Sequence, residues 1–191
     1  MELKNQKEFI LRDKLVSIHD IVRVMDPEQN LIGNFVRKIL SIRALFSLKD
    51  ADERTIMVIR QKLASLRGTF KFFEPDENGK PDESKFLGKM KRKIVSIKPK
   101  YWFENPLEER IFHIKGNIMG LKYSIIKDGS EIARISKKFW RVRDTYGLKI
   151  NQNLNNQMAM IILCTVMVLQ YEIERIREER KKQRRRHQFK Y

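Results

Sequence analysis

A chain of 191 residues, 41% apolar and 34% charged, has the length and composition of one folded domain and excludes disorder throughout, except at its ends. It is long enough to bury a core without disulfide or metal staples. Forty-one Lys and Arg against 24 Asp and Glu leave a net charge of +17, which points to an anionic partner: nucleic acid, an acidic membrane surface or a phosphorylated ligand.

The N-terminal stretch Met1 to Lys14 has no apolar run long enough for a signal peptide, and the single Cys164 has no disulfide partner. An intracellular, cytoplasmic chain is expected, at most peripheral at a membrane. From there a nine-residue pattern recurs: Lys, apolar, any, Ser, apolar, basic, two free positions and usually an aromatic. Its clearest copies run Lys38 to Arg43 with Phe46, Lys62 to Arg67 with Phe70, and Lys93 to Lys98 with Tyr101, and looser ones run Lys14 to His19 and Lys138 to Arg143. The position after the basic residue is Asp20, Ala44, Gly68, Pro99 or Asp144, mostly turn formers, so each copy marks a turn between two strands. A second set of turn signals lies midway between copies: Asp26 to Asn30, Asp50 to Glu53, Glu74 to Ser84, Glu104 to Pro106 and Asp128-Gly129.

Between turns the segments are short and rich in Val, Ile, Phe and Tyr, which predicts an up-and-down meander. Its strands are expected at 8–16, 20–26, 31–39, 44–50, 54–63, 69–74, 86–95, 100–104, 110–118, 121–127, 131–139 and 145–150. A sheet of about twelve strands removes its edges by closing, and a barrel wider than about eight strands leaves a lumen its own side chains do not fill. The run Met158 to Leu169, apolar all round and free of Gly and Pro, fits as the plug. It is well short of the ~20 residues that span a bilayer, and at ~1.5 Å per residue it matches the height of such a barrel. The fold expected is therefore mainly β, a closed twelve-stranded antiparallel barrel around a hydrophobic C-terminal helix. The barrel domain is expected over 1–173 with its helix at about 156–173, and 174–191 as a basic helical or disordered tail.

Arg134 to Phe139, then Arg143 to Ile150, then an apolar helix, together with the repeated Lys-Leu-Ala-Ser-Leu-Arg turns and the Gly116-Asn117 strand, resemble the LURP-one-related family over roughly residues 8 to 171. That family shares a fold with the Tubby C-terminal domain and, more distantly, the phospholipid scramblases. The resemblance implies a closed barrel around a central helix. Tubby-like domains bind phosphoinositides, but no short motif places their ligand residues on this chain. The carboxylates that scramblases associate with calcium have no counterpart here, where the segment before the helix holds Asn151, Asn153, Asn155 and Asn156.

In an antiparallel meander alternate turns share an end, so the barrel is expected to be electrically bipolar. One rim gathers Lys38, Arg43, Lys62, Arg67, Lys93, Lys98, Lys138, Arg141 and Arg143, with Lys14 and His19, as an anion-binding surface. The other gathers the Asp and Glu of the second turn set. The tail from Glu172 holds nine basic residues against four Glu, and Arg180, Lys181, Lys182, Arg184, Arg185 and Arg186 form a candidate polyanion site. The bland alternative is that rim and tail cations only solubilise turns and a helix end. No Cys or His stands at metal-ligand spacing, and Glu74 to Lys85 lacks the final Glu of an EF-hand loop and reads as a turn. Cys164, mid-run in the helix, reads as a buried inert thiol, and Trp102 and Trp140 as barrel core. No phosphate loop or nucleophile elbow occurs, so neither an enzyme nor a cofactor is expected. The leading expectation is a non-enzymatic module that docks anionic phospholipid headgroups or a membrane surface; the runner-up is a nucleic-acid-binding protein that uses the Arg-rich tail.

Overall fold

The computed structural model describes residues 3–14, 21–40, 43–62, 68–93, 100–117, 120, 122–136 and 145–188. After a short 3-10 turn at Leu3–Asn5, twelve strands follow in chain order. They are β1 (Glu8–Lys14), β2 (Ile21–Met25), β3 (Leu31–Leu40), β4 (Arg43–Asp50), β5 (Thr55–Gln61), β6 (Phe70–Pro75), β7 (Pro81–Arg92), β8 (Tyr101–Glu104), β9 (Arg110–Asn117), β10 (Lys122–Lys127), β11 (Ser130–Ser136) and β12 (Thr145–Ile150). Each pairs antiparallel with its neighbours, and β1 closes on β12 from Glu8 opposite Lys149 to Arg12 opposite Thr145. Among the described residues there is one α-helix, α1 (Asn156–Gln188), whose N-terminal half fills the lumen.

Strand alternation sends one row of each strand inward. Phe9 and Leu11, Phe46 and Leu48, Phe70 and Phe72, and Tyr146 and Leu148 are all buried in one core with Ala159 to Leu169 of the helix. Wide rings do the filling: Phe72 stands edge-on to Phe103 at 5.2 Å, and Phe103 stacks on Phe112 at 5.2 Å. The helix starts where Asn155 accepts from the backbone N–H of Met158 at 2.8 Å, an N-cap of the preferred residue type. Buried Lys7 ties that start to the N-terminal segment by donating to the Leu154 carbonyl at 2.7 Å.

Four of the turns at one end of the barrel repeat a single design. Asp26, Asp50, Asp76 and Asn105 each accept, through Oδ1, the backbone N–H four residues on, at 2.8, 2.9, 2.8 and 2.9 Å. Each also receives on its carbonyl the N–H three residues on, at 3.0 to 3.1 Å. The fourth turn residue is left-handed in every case: Gln29 (φ 69°), Glu53 (φ 62°), Gly79 (φ 71°) and Glu108 (φ 66°). Only Gly79 takes that conformation without a Cβ penalty. Gln29 is exposed. Gln29→Gly should therefore raise the melting temperature, by about 1–3 °C, because relief of left-handed strain outweighs the added freedom of the unfolded chain. Thermal unfolding checks it, and a lower melting temperature would show that the strain is not there.

The main departure from the expected strands is β7, which begins at Pro81 rather than 86. The capped turn Asp76–Lys80 is tighter than the long Glu74 to Ser84 turn the composition suggests. Pairing of Pro75 with Pro81, two register shifts on, then leaves the poor strand formers Asp82 to Ser84 as an irregular stretch of β7 with no rung opposite them. Trp102 is a second departure. It faces outward, where its Nε1 donates to Glu104 at 2.6 Å and Arg110 lies 4.8 Å from its ring centroid. Trp140 lies outside the described residues.

Candidate functional site: the basic mouth of the barrel

Strand direction alternates, so the connections β1–β2, β3–β4, β5–β6, β7–β8, β9–β10 and β11–β12 all fall at one end, the end that carries the repeats. The helix enters at the opposite end, directly after β12, and leaves through this one. Its start touches the far turns, where Gln157 donates to Glu74 at 3.3 Å. Its exit touches the C-terminal part of β3 and the end of β7: Arg37 lies 5.0 Å from the Tyr171 ring centroid, and Arg92 donates to Glu172 at 3.3 Å. Rim and tail, proposed from sequence as separate basic surfaces, thus share one end of the molecule.

Among the expected rim residues, Lys38, Lys62 and Lys93 are exposed at the ends of β3, β5 and β7. Arg43 is the first residue of β4. Lys14 is the last residue of β1, whereas His19, Arg67, Lys98, Lys138, Arg141, Arg143 and the repeat serines Ser17, Ser41, Ser65 and Ser96 lie outside the described residues. In the tail, α1 runs on to Gln188, so Arg180, Lys181, Lys182, Arg184, Arg185 and Arg186 are helical, with Lys181, Lys182 and Arg185 exposed. At 33 residues and ~1.5 Å each the helix is about 50 Å long, and its last turns stand clear of the barrel.

The two ends differ in how their charges are used. At the far end Lys49 pairs with Glu53 at 2.9 Å, Arg54 with Asp50 at 3.0 Å and with Asp52 at 2.7 Å, and Lys89 with Glu108. The Lys49 contact holds the Glu53 carboxyl below the usual range. The acidic pole expected from sequence is therefore largely spent on capping turns and on local pairs. At the mouth, no ion pair among the described residues engages Lys38, Lys62 or Lys93.

Inside the mouth lies a polar collar that sequence reading did not find. Glu172, which its place in the sequence had put with the solvated tail, is 0% exposed. Both of its oxygens face Arg175 Nη2, Oε1 at 3.0 Å and Oε2 at 3.1 Å, and Oε2 also accepts from Arg92 Nη1. Burial pushes the Glu172 carboxyl up, with Arg175 and Arg92 pulling the other way. Tyr101 is buried beside the group, and its hydroxyl is pushed up to about 12 by burial and by Glu172. The available signal was register: Arg92 shares an inward row with Met90, and Glu172 and Arg175 follow the apolar run at i,i+3.

Elsewhere the surface is less suggestive. A groove of about 810 Å³ on the outer face of β1, β12 and β11 is flanked by Glu8, Lys149, Glu131 and Arg134. These pair with each other at 2.6 and 2.9 Å. A smaller one, about 410 Å³, opens beside the helix start. Cys164 is fully buried, and burial pushes its thiol far up. Among the described residues no group of three or more His, Cys, Asp or Glu is placed to hold a metal ion, and no helix is long and apolar enough to cross a membrane.

The profile of the LURP-one-related family matches residues 7–168, from the residue before β1 into the lumen helix. The chain belongs to the LURP-one-related family. A crystal structure of an Arabidopsis thaliana protein has the same fold, with a TM-score of 0.59 at 12% identity over 85% of this chain and 91% of that one. At that identity the likeness concerns fold alone. No curated protein matches the sequence. Family membership and a closed barrel with a filled lumen fit a binding module.

Proposed function

We propose that this LURP-one-related barrel is a non-enzymatic binding module that docks anionic phospholipid headgroups, or the surface of an anionic membrane, against its basic mouth. The observation that carries the reading is the contrast between ends: Lys49, Arg54 and Lys89 at the turn-capped end are paired with carboxylates, whereas Lys38, Lys62 and Lys93 at the helix exit are exposed and, among the described residues, without ion pairs. Unpaired cations on one face sum to a directional field, each basic residue near an anionic surface contributing ~1 kcal/mol.

The test is sedimentation of the full chain with phosphatidylcholine vesicles containing phosphatidylserine. Changing Lys38, Lys62 and Lys93 together to Glu should weaken binding by ~100-fold or more while leaving the thermal melt native, since all three side chains are exposed. Parent affinity should fall steeply with salt. Equal vesicle binding by the triple variant would overturn the reading.

A second reading, duplex nucleic acid on the projecting helix, is favoured by one observation. Beyond Ile176 the helix carries no apolar residue through Gln188, so it has no face to lay into a bilayer. Deleting 177–191 should remove salt-sensitive DNA binding and leave most vesicle binding. Loss of both would place all anion affinity in the tail.

A further inference from the structure

We propose that Arg92 and Arg175, held side by side by the buried Glu172, form a clamp for a phosphate monoester at the barrel mouth. The inference rests on the reading of the mouth as an anion-docking end and names a specific site within it.

Three facts combine. Glu172 is wholly buried and holds one terminal nitrogen of each guanidinium, Arg92 Nη1 and Arg175 Nη2, so it fixes the two arginines as a positioning residue while the arginines themselves remain 24% and 32% exposed. A planar guanidinium held at one nitrogen keeps further N–H donors for bidentate recognition of phosphate. Among the described residues the collar also holds two buried donors without a hydrogen-bond partner, the Tyr101 hydroxyl, on a side chain 1% exposed, and Arg175 Nε, beside one such acceptor, Glu172 Oε1. Buried donors are ordinarily satisfied, so their presence together marks a place for an acceptor-rich group.

Gly68 (φ 58°) lies against the pair: a Cβ there would stand in ordinary contact, 3.4 Å from Glu172 Oε2 and 3.8 Å from Arg175 Nη2. Exposed Lys93 follows Arg92 directly. Among the described residues, the competing carboxylate on Arg175 from the solvent side is Glu179, 60% exposed and 3.8 Å from Nη1, a contact long enough for a phosphate to replace. Arg92 and Arg175 against Glu172 leave one positive charge, which Glu179 balances until a phosphate displaces it. A monoester offers three terminal oxygens and up to two charges, more acceptors than a diester can present to the same fork.

The experiment compares the full chain with Arg92→Gln, Arg175→Gln and Arg92→Lys on three probes: phosphatidylcholine vesicles carrying phosphatidic acid, vesicles of matched surface charge carrying phosphatidylserine, and soluble glycerol phosphate. Each single variant leaves Glu172 one arginine, and the thermal melt checks that the fold is kept. The parent should prefer phosphatidic acid, and each Gln variant should lose ~10–100-fold on that probe and little on phosphatidylserine. Arg92→Lys keeps the charge without the fork and should lose most of the preference. A parent that does not distinguish the two vesicles, or Gln variants that bind phosphatidic acid as the parent does, would overturn the clamp. Loss of vesicle binding in the Lys38, Lys62 and Lys93 variant would still leave the mouth reading standing in that case. Binding of glycerol phosphate that is lost in the Gln variants, with no binding to any vesicle, would keep the clamp and overturn the membrane reading instead.

Discussion

Ile162→Asp should yield insoluble protein. Ile162 is 0% exposed at the centre of the helix and is surrounded by the inward rows of the barrel. Removing its side chain from the core forfeits ~1.5–3 kcal/mol of burial, and a carboxyl placed there has neither water nor a basic partner, which adds several kcal/mol whether it stays charged or takes up a proton. The sum reaches the whole stability of a typical domain, ~5–15 kcal/mol. Ile162→Val, which removes one methylene, should cost only ~1 kcal/mol and keep the protein soluble. Soluble yield and the melt of the two variants side by side are the measurement. A soluble Ile162→Asp protein with a native-like melt would show that the helix does not fill the lumen.

The barrel was legible because its two turn families are written in different residue types. Lys-apolar-any-Ser repeats mark one end, and Asp or Asn followed by Pro, Gly or acidic residues marks the other, so the strand count follows from punctuation alone. The plug was legible because an all-apolar helix too short for a bilayer has few other places to go. The errors came where tertiary pairing outweighed local preference. Asp82 to Ser84 lack strand formers and fall within β7 because Pro81, beyond them, pairs with Pro75 of β6. Trp102 looked like core by type, but the row it shares faces out, and Tyr101 and Phe103 fill the lumen instead.

The acidic end teaches a related lesson about charge. Asp26, Asp50 and Asp76 were counted as a pole, yet each sits where a side-chain oxygen closes a turn, a role the neutral Asn105 performs equally well. Composition records such residues as charge, whereas the fold uses them as acceptors. The lysines at the mouth have no comparable structural duty among the described residues, which is why the functional reading rests on them and not on the bipolar pattern as a whole.

The collar was the least legible feature, and it carries the second large expected effect. Glu172→Lys should destabilise the protein by at least ~4 kcal/mol, because it places a third cation against Arg92 and Arg175 in a site with no solvent access for the side chain. For a chain of this size that corresponds to a fall in melting temperature of roughly 8–16 °C. Glu172→Gln keeps the shape and the acceptor and should cost much less. The pair of variants separates charge from packing, and a pH series sharpens it. Burial raises the folded-state pKa of Glu172, so the proton it takes up stabilises the folded parent fully below the unfolded carboxylate range, and this contribution is lost as pH rises through the folded pKa. The stability of the parent relative to Glu172→Gln should therefore increase as pH falls from neutral, opposite in sign to the effect of surface carboxylates such as Glu53, whose lowered pKa makes acid unfavourable to the fold. Equal melting temperatures for the parent and Glu172→Lys would mean that position 172 reaches water, and the clamp built on its burial would go with it.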